Sequence, residues 1–194
     1  YYITLSPEPI KITNAELEDV EIVISPDHKV FSHTNPLLGL AQGGTFILQT
    51  SASAEQVWRE MPAAARKTIR DRKIDFFIID AFSVAKKHAP TPELEIRMMG
   101  IAFIGAIAGH VARVSAGASA EAILEKIRQQ ISKKFGAKGG DVVVGNMAVI
   151  REGIEATRRV DYESAAFADV ETRPATIPIR SVALSASMCA SSGT

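Results

Sequence analysis

Along the chain, compact apolar runs alternate with segments whose apolar residues recur three and four apart. The runs YYITL (residues 1–5), VEIVIS (20–25), TFILQT (45–50) and DFFIIDA (75–81) are rich in β-branched and aromatic residues. They predict strands, and the runs at 20–25 and 45–50 read as strands largely buried on both faces. Helical signals lie between and after them. Asn14 caps a single turn over 14–19. Ser53 precedes Gln56 by three residues, a capping-box spacing. Pro62 opens a helix over 63–71 that carries basic residues toward its end. Further helices are expected over 81–88, 95–111 and 119–134, and a last helix or strand-helix over 141–155. The helix at 119–134 places Ile123, Leu124, Ile127 and Ile131 on one face. Pro90 and Pro92 are expected to break the chain before residue 95. Strands alternating with helices predict an α/β fold, an open and mainly parallel sheet flanked by helices.

Gly43-Gly44 stands directly before the 45–50 run. A phosphate-binding loop follows a strand and opens a helix, so this order argues against one. The pair is expected to form a turn in which the chain reverses with φ above zero. The strand it feeds is then scaffold.

The most apolar run, 98–112, is interrupted by Gly100, Gly105 and Gly109. It is shorter than the roughly 20 residues a bilayer span needs. A buried helix with small surfaces for close packing is expected, although the Gly105–Gly109 spacing also occurs in membrane helix pairs. From about Tyr162 the texture changes to Ala, Ser, Thr and Pro, which predicts an extended linker or arm over 161–194. The chain opens in the middle of a strand-like run without an initiator Met, and a piece of a longer polypeptide is expected.

Composition narrows the function classes. The 194 residues are 46% hydrophobic and 23% charged, which suffices for a sizeable core. Formal net charge is zero, so no electrostatic footprint for nucleic acid or an anionic membrane is visible. The single cysteine, Cys189, forms no internal disulfide and no all-cysteine metal site, and it fits a reducing compartment. His28 and His33 match no metal-ligand spacing and read as loop residues.

Candidate chemistry is sparse. Asp80 ends the third strand run, where a carboxylate is either catalytic or the cap of the following helix, and capping is the commoner role. Asp27 and His28 follow the 20–25 run at a comparable level. The Arg66-Lys67 and Lys133-Lys134 pairs read as solvated helix faces, or as a patch for an acidic electron carrier. Residues 136–140 read as a helix C-terminal cap or as a basic loop able to hold an anion. There is no G-x-S-x-G elbow, Walker A or G-x-G-x-x-G.

The segments NPLLGLAQGGTFILQTS and EMPAAARKTIRDRKIDFFIIDA, followed by EIRMMGIAFIGAIAG and GNMAVIREGIEA, resemble in order the gamma domain of 2-oxoacid:ferredoxin oxidoreductases, the pyruvate:ferredoxin oxidoreductase family. The resemblance covers roughly residues 1–160, which it marks as the gamma domain, and it implies a Rossmann-like sheet. It also implies CoA-dependent oxidative decarboxylation of a 2-oxoacid such as pyruvate or 2-oxoglutarate, or the reverse carboxylation used in carbon fixation. Thiamine diphosphate, Mg2+ and [4Fe-4S] clusters belong to such a complex. The resemblance assigns them to alpha, beta and iron-sulfur regions, with ferredoxin as the acceptor, in the cytoplasm and without nucleic acid or membrane partners. This chain is then scaffold and a possible CoA-contact domain, inactive in isolation.

Two departures bear on that role. The family's N-terminal Gly-rich segment, of the G-R-G-G-Q-G kind, is missing. Where relatives carry Asn three residues before the helix methionine, this chain has Glu95, in Glu95-Ile96-Arg97-Met98. Arg97 and the loop residue Asn35 are the candidate CoA contacts. Relatives that do without coenzyme A, such as oxalate oxidoreductases, would also fit the loss of Asn. The alternatives are a non-catalytic α/β assembly module and an independent enzyme using Asp80 and His28.

Overall fold

A computed structural model of the chain describes residues 18–114, 119–136 and 140–167. The expected strand at 1–5, the turn capped by Asn14, the loop at 137–139, residues 168–194 of the expected arm and Cys189 lie outside the described residues. Four strands, β1 (Val20–Ser25), β2 (Leu40–Gln49), β3 (Asp75–Ile79) and β4 (Arg158–Arg159), form one sheet in that order. The first three are parallel and β4 runs antiparallel to β3. Six helices flank them: α1 (Ala54–Glu60), α2 (Ala63–Asp71), α3 (Ala81–His88), α4 (Pro92–Val114), α5 (Ala120–Phe135) and α6 (Gly140–Ala156). The architecture is the expected α/β fold.

Alternation along β2 and β3 divides the core in two, because successive side chains of a strand point to opposite faces. Phe46, Leu48, Phe76 and Ile78 meet Trp58 and Ile69 of α1 and α2 on one face. Ile47, Phe77 and Ile79 meet Val84, Ala102, Ala106 and Val149 of α3, α4 and α6 on the other. Both faces of β2 and β3 are therefore covered, as their unbroken apolar runs require. β1 differs from expectation. It lies at the edge of the described sheet, and only Ser25 in it is fully buried.

The double glycine also differs. Gly43-Gly44 lies inside β2, and the chain does not reverse there. Val20 pairs with Leu40 but Ile22 pairs with Thr45, so the extra residues of β2 bulge out at the glycines. Gly43 has φ +72°, the positive value the sequence suggested, used for a bulge. Its N–H donates to the Arg72 carbonyl at 2.8 Å.

Local signals set the helix starts. Ser53 Oγ accepts the Gln56 N–H at 3.2 Å, and Ser119 Oγ accepts the Ala122 N–H at 3.1 Å. The box at Ser53 is only half formed, because Gln56 Nε2 donates forward to Glu60 at 3.0 Å. Pro92 does not break the chain. It opens α4, whose missing N–H costs a helix nothing at its first position.

At 23 residues, α4 is long and apolar enough to span a bilayer, so the argument from length fails. Packing decides instead. Ala102, Phe103, Gly105, Ala106 and Gly109 are buried, and α6 crosses α4 with almost no gap. A Cβ on Gly105 would strike the Ile150 carbonyl oxygen, and one on Gly153 would strike that of Ala102. Gly100 faces open space and serves no such contact. Residues 160–167 pack against the core: Tyr162 stacks on Trp58 at 5.3 Å, and Phe167 meets its edge at 6.0 Å.

Candidate functional site

Because β1, β2 and β3 are parallel and in register, their carboxyl ends open on one edge of the sheet. Ligands of open α/β sheets bind at such edges. A groove of ≈1310 Å³ lies there. Its floor is Leu48, Gln49 and Thr50, and its walls come from the turn after β1, from α1 and from the start of α3. Charge in the lining is mixed, with Lys29 and Arg59 against Glu60 and Asp80, and His28 beside them.

Hydrogen bonds hold these segments in place. Ser25 Oγ donates to the Asp27 carbonyl at 2.9 Å, and Asp27 Oδ1 accepts the Lys29 N–H at 2.8 Å, which shapes the turn after β1. Gln49 is buried at the end of β2. Its Oε1 accepts the Ala81 N–H at 2.8 Å, and its Nε2 donates to Asp80 Oδ1 at 3.4 Å. A single side chain thus ties the end of β2 to the start of α3.

Asp80 is the cap of α3. Its Oδ1 accepts the Ser83 N–H at 3.1 Å and its Oδ2 accepts the Ser83 hydroxyl at 2.6 Å. Both oxygens are occupied, an arrangement suited to fixing a helix start. His28 shares the groove but is exposed, and Asp27 pairs instead with His33 at 3.1 Å. Among the described residues no hydrogen bond joins His28 to Asp80, the pair named for an independent enzyme.

The two candidate CoA contacts lie apart from the groove lining. Asn35 is exposed in the loop before β2, where its Oδ1 accepts the Leu37 N–H at 3.1 Å and its amide N–H2 remains available. Arg97 is exposed on the first half of α4. Gln49, Ser51, Arg59 and Phe82 also line the groove, and no sequence motif singles them out. Their only signal is position, at or just beyond the end of β2 or on the adjoining helix turns.

The chain's residues do not suit a [4Fe-4S] cluster, which takes four thiolates, since the chain has one cysteine. No group of three His, Cys, Asp or Glu side chains able to hold a metal ion occurs among the described residues.

Residues 1–156 match the family described as pyruvate ferredoxin/flavodoxin oxidoreductase. The chain belongs to that family. Among curated relatives it is 22% identical over 161 residues to the pyruvate:ferredoxin oxidoreductase of Moorella thermoacetica, covering 83% of this chain and 13% of that protein. It is 29% identical over 119 residues to the probable pyruvate-flavodoxin oxidoreductase of Escherichia coli strain K12, covering 60% of this chain and 9% of the other. The chain thus spans a small part of the length of these oxidoreductases. Its fold is similar to that of the pyruvate oxidoreductase subunit PORC from Thermotoga maritima, with a TM-score of 0.50 and 18% identity over 74% of this chain and 66% of the other.

Proposed function

We propose that this chain is the gamma region of a pyruvate:ferredoxin or pyruvate:flavodoxin oxidoreductase. The family match across residues 1–156, which takes in all three parallel strands, carries the reading. The complex cleaves carbon dioxide from a 2-oxoacid, passes the two electrons through iron-sulfur clusters to ferredoxin or flavodoxin, and joins the acyl group to CoA. Run in reverse, it fixes carbon. The relatives are named for pyruvate, which makes pyruvate the first substrate to test and 2-oxoglutarate the second.

Thiamine diphosphate with its Mg2+ supplies the carbanion chemistry, held by alpha and beta regions, and the clusters are held by a cysteine-bearing region. This chain's residues bind and position. The gamma domain presents a rigid sheet edge, with residues 160–167 packed on its core, and the chain beyond Phe167 links it to the next region. Asn35, through its free amide, and Arg97, an exposed guanidinium, are the CoA contacts, the latter suited to a phosphate. The assembly is cytoplasmic.

The test is to purify the native assembly through a tag on this chain, record its visible spectrum and assay oxoacid-dependent dye reduction with and without CoA. A brown assembly containing a thiamine-binding partner and reducing dye with pyruvate is expected. Arg97→Gln should raise KM for CoA at least about threefold with kcat unchanged, as loss of uniform binding does. A colourless chain without partners refutes the reading. Turnover indifferent to CoA removes the CoA role alone.

A further inference from the structure

Two guanidinium groups on α2 stand out by lacking acids. Arg66 is only 5% exposed, against the expectation of a solvated helix face. Its Nη1 donates to the Trp58 carbonyl at 3.0 Å. One turn on, Arg70 lies over the Trp58 ring with its Cζ 5.2 Å from the centroid, and its Nη2 donates to the Phe167 carbonyl at 2.9 Å. Both cations therefore rest on carbonyl oxygens beside the Trp58–Tyr162 stack.

The acids nearest in sequence are committed elsewhere. Asp71 pairs with Lys67, Asp75 with Arg159, and Glu60 accepts from Gln56. Among the described residues neither Arg66 nor Arg70 has a carboxylate partner. Burial first and then the neighbouring Arg70 push the Arg66 pKa down, and no acid opposes them. A buried cation beside a second cation is unfavourable unless an anion meets it. Apart from the Trp58 carbonyl, no acceptor meets the Arg66 guanidinium among the described residues. A planar guanidinium with spare donors takes a carboxylate in two parallel hydrogen bonds.

We propose that Arg66 and Arg70 form a docking point for a carboxylate side chain, an aspartate or glutamate, of the polypeptide that adjoins this domain. The site rests on the reading that the chain works within a larger assembly, and it is distinct from the strand-end groove, whose lining contains neither arginine. Trp58, Tyr162 and Phe167 are buried beneath, so they fix the position of the exposed Arg70 rather than meet the partner themselves.

The test compares Arg70→Gln and Arg70→Glu with the unsubstituted native assembly, reading the NaCl concentration at which the adjoining polypeptide dissociates, with circular dichroism checking that the chain stays folded. Position 70 lies in the last turn of α2, where the helix dipole, Asp71 and the Phe167 carbonyl disfavour a glutamate within this chain, so dissociation and not melting is the readout. A partner carboxylate makes R70E dissociate at lower NaCl than R70Q, and R70Q at lower NaCl than the unsubstituted assembly. That order is the expected result. Both variants dissociating at the unsubstituted concentration overturns the proposal while leaving the assembly reading intact. If sodium phosphate at constant ionic strength stabilises the unsubstituted assembly and not R70E, the site takes a small anion and the proposal falls. If D169N/E171Q dissociates as R70Q does, the carboxylate comes from this chain and the proposal falls too. Capture of no adjoining polypeptide sinks both readings together.

Discussion

The crossing of α4 on α6 allows one substitution to be predicted with opposite signs at matched positions. Gly100, Gly105, Gly145 and Gly153 all lie inside these two helices. Alanine in a helix interior is favoured over glycine by about 0.5–1 kcal/mol, a gain common to all four sites. At Gly100 and Gly145 nothing lies within 4 Å of the added methyl group, so the gain stands alone. At Gly105 the methyl meets the carbonyl oxygen of Ile150 and comes within 3.1 Å of the Gly153 Cα. At Gly153 it meets the carbonyl oxygen of Ala102, with the Ala102 Cα at 3.1 Å. The obstacle is backbone in both cases, so no rotamer change relieves it and the helices must part. Overpacking costs about 1–3 kcal/mol, and a backbone obstacle belongs at the upper end.

The net expectation is a loss of about 2 kcal/mol at Gly105 or Gly153 and a gain of about 0.5–1 kcal/mol at Gly100 or Gly145. Urea unfolding followed by the fluorescence of the single tryptophan, Trp58, reads the difference. If Gly105→Ala and Gly153→Ala match Gly100→Ala to within about 0.5 kcal/mol, the close crossing is wrong and with it the placement of both helices on the sheet.

Three further outcomes are expected. His110 accepts or donates at Nε2 with Thr45 Oγ1 at 3.0 Å while its Nδ1 is buried without a partner, and burial, reinforced by Arg113, holds its pKa below the ordinary 6.5. In the range below 6.5 the unfolded chain then binds the proton that the folded chain refuses, so stability falls as pH drops through this window; His110→Gln should flatten that part of the stability–pH profile. Asp80→Asn keeps an oxygen for the Ser83 N–H and should leave oxoacid turnover of the native assembly within about twofold, while Asp80→Ala costs about 1 kcal/mol of stability through loss of the α3 cap; collapse of turnover in the Asn variant refutes the capping role. Trp58→Ala removes the ring on which Tyr162, Phe167 and Arg70 rest and should cost about 3–5 kcal/mol by circular dichroism.

What neighbours along the chain can settle was legible in residue order alone. Helices at 63–71 and 81–88 begin and end where Pro62, Asp80 and the basic last turns place them, and the buried runs at 45–50 and 75–79 became central strands. Capping and burial patterning are local, so they are legible in order. Family membership was likewise legible, through motif order. Features whose partners lie far apart in the chain took shape in the folded molecule. Gly43 became a bulge because β2 must regain register with β1, a demand invisible within residues 31–50. Arg158-Arg159, two charged residues that no propensity marks as a strand, pair with β3 because α6 delivers them to its free edge. Arg66 is buried despite its charge, its Nη1 held by the Trp58 carbonyl, and His110 meets Thr45 across 65 positions. The groove itself is a product of parallel register. Gln49, Thr50, Asp80 and His28 come together because three strands end at one edge, and no short segment of the sequence holds that geometry.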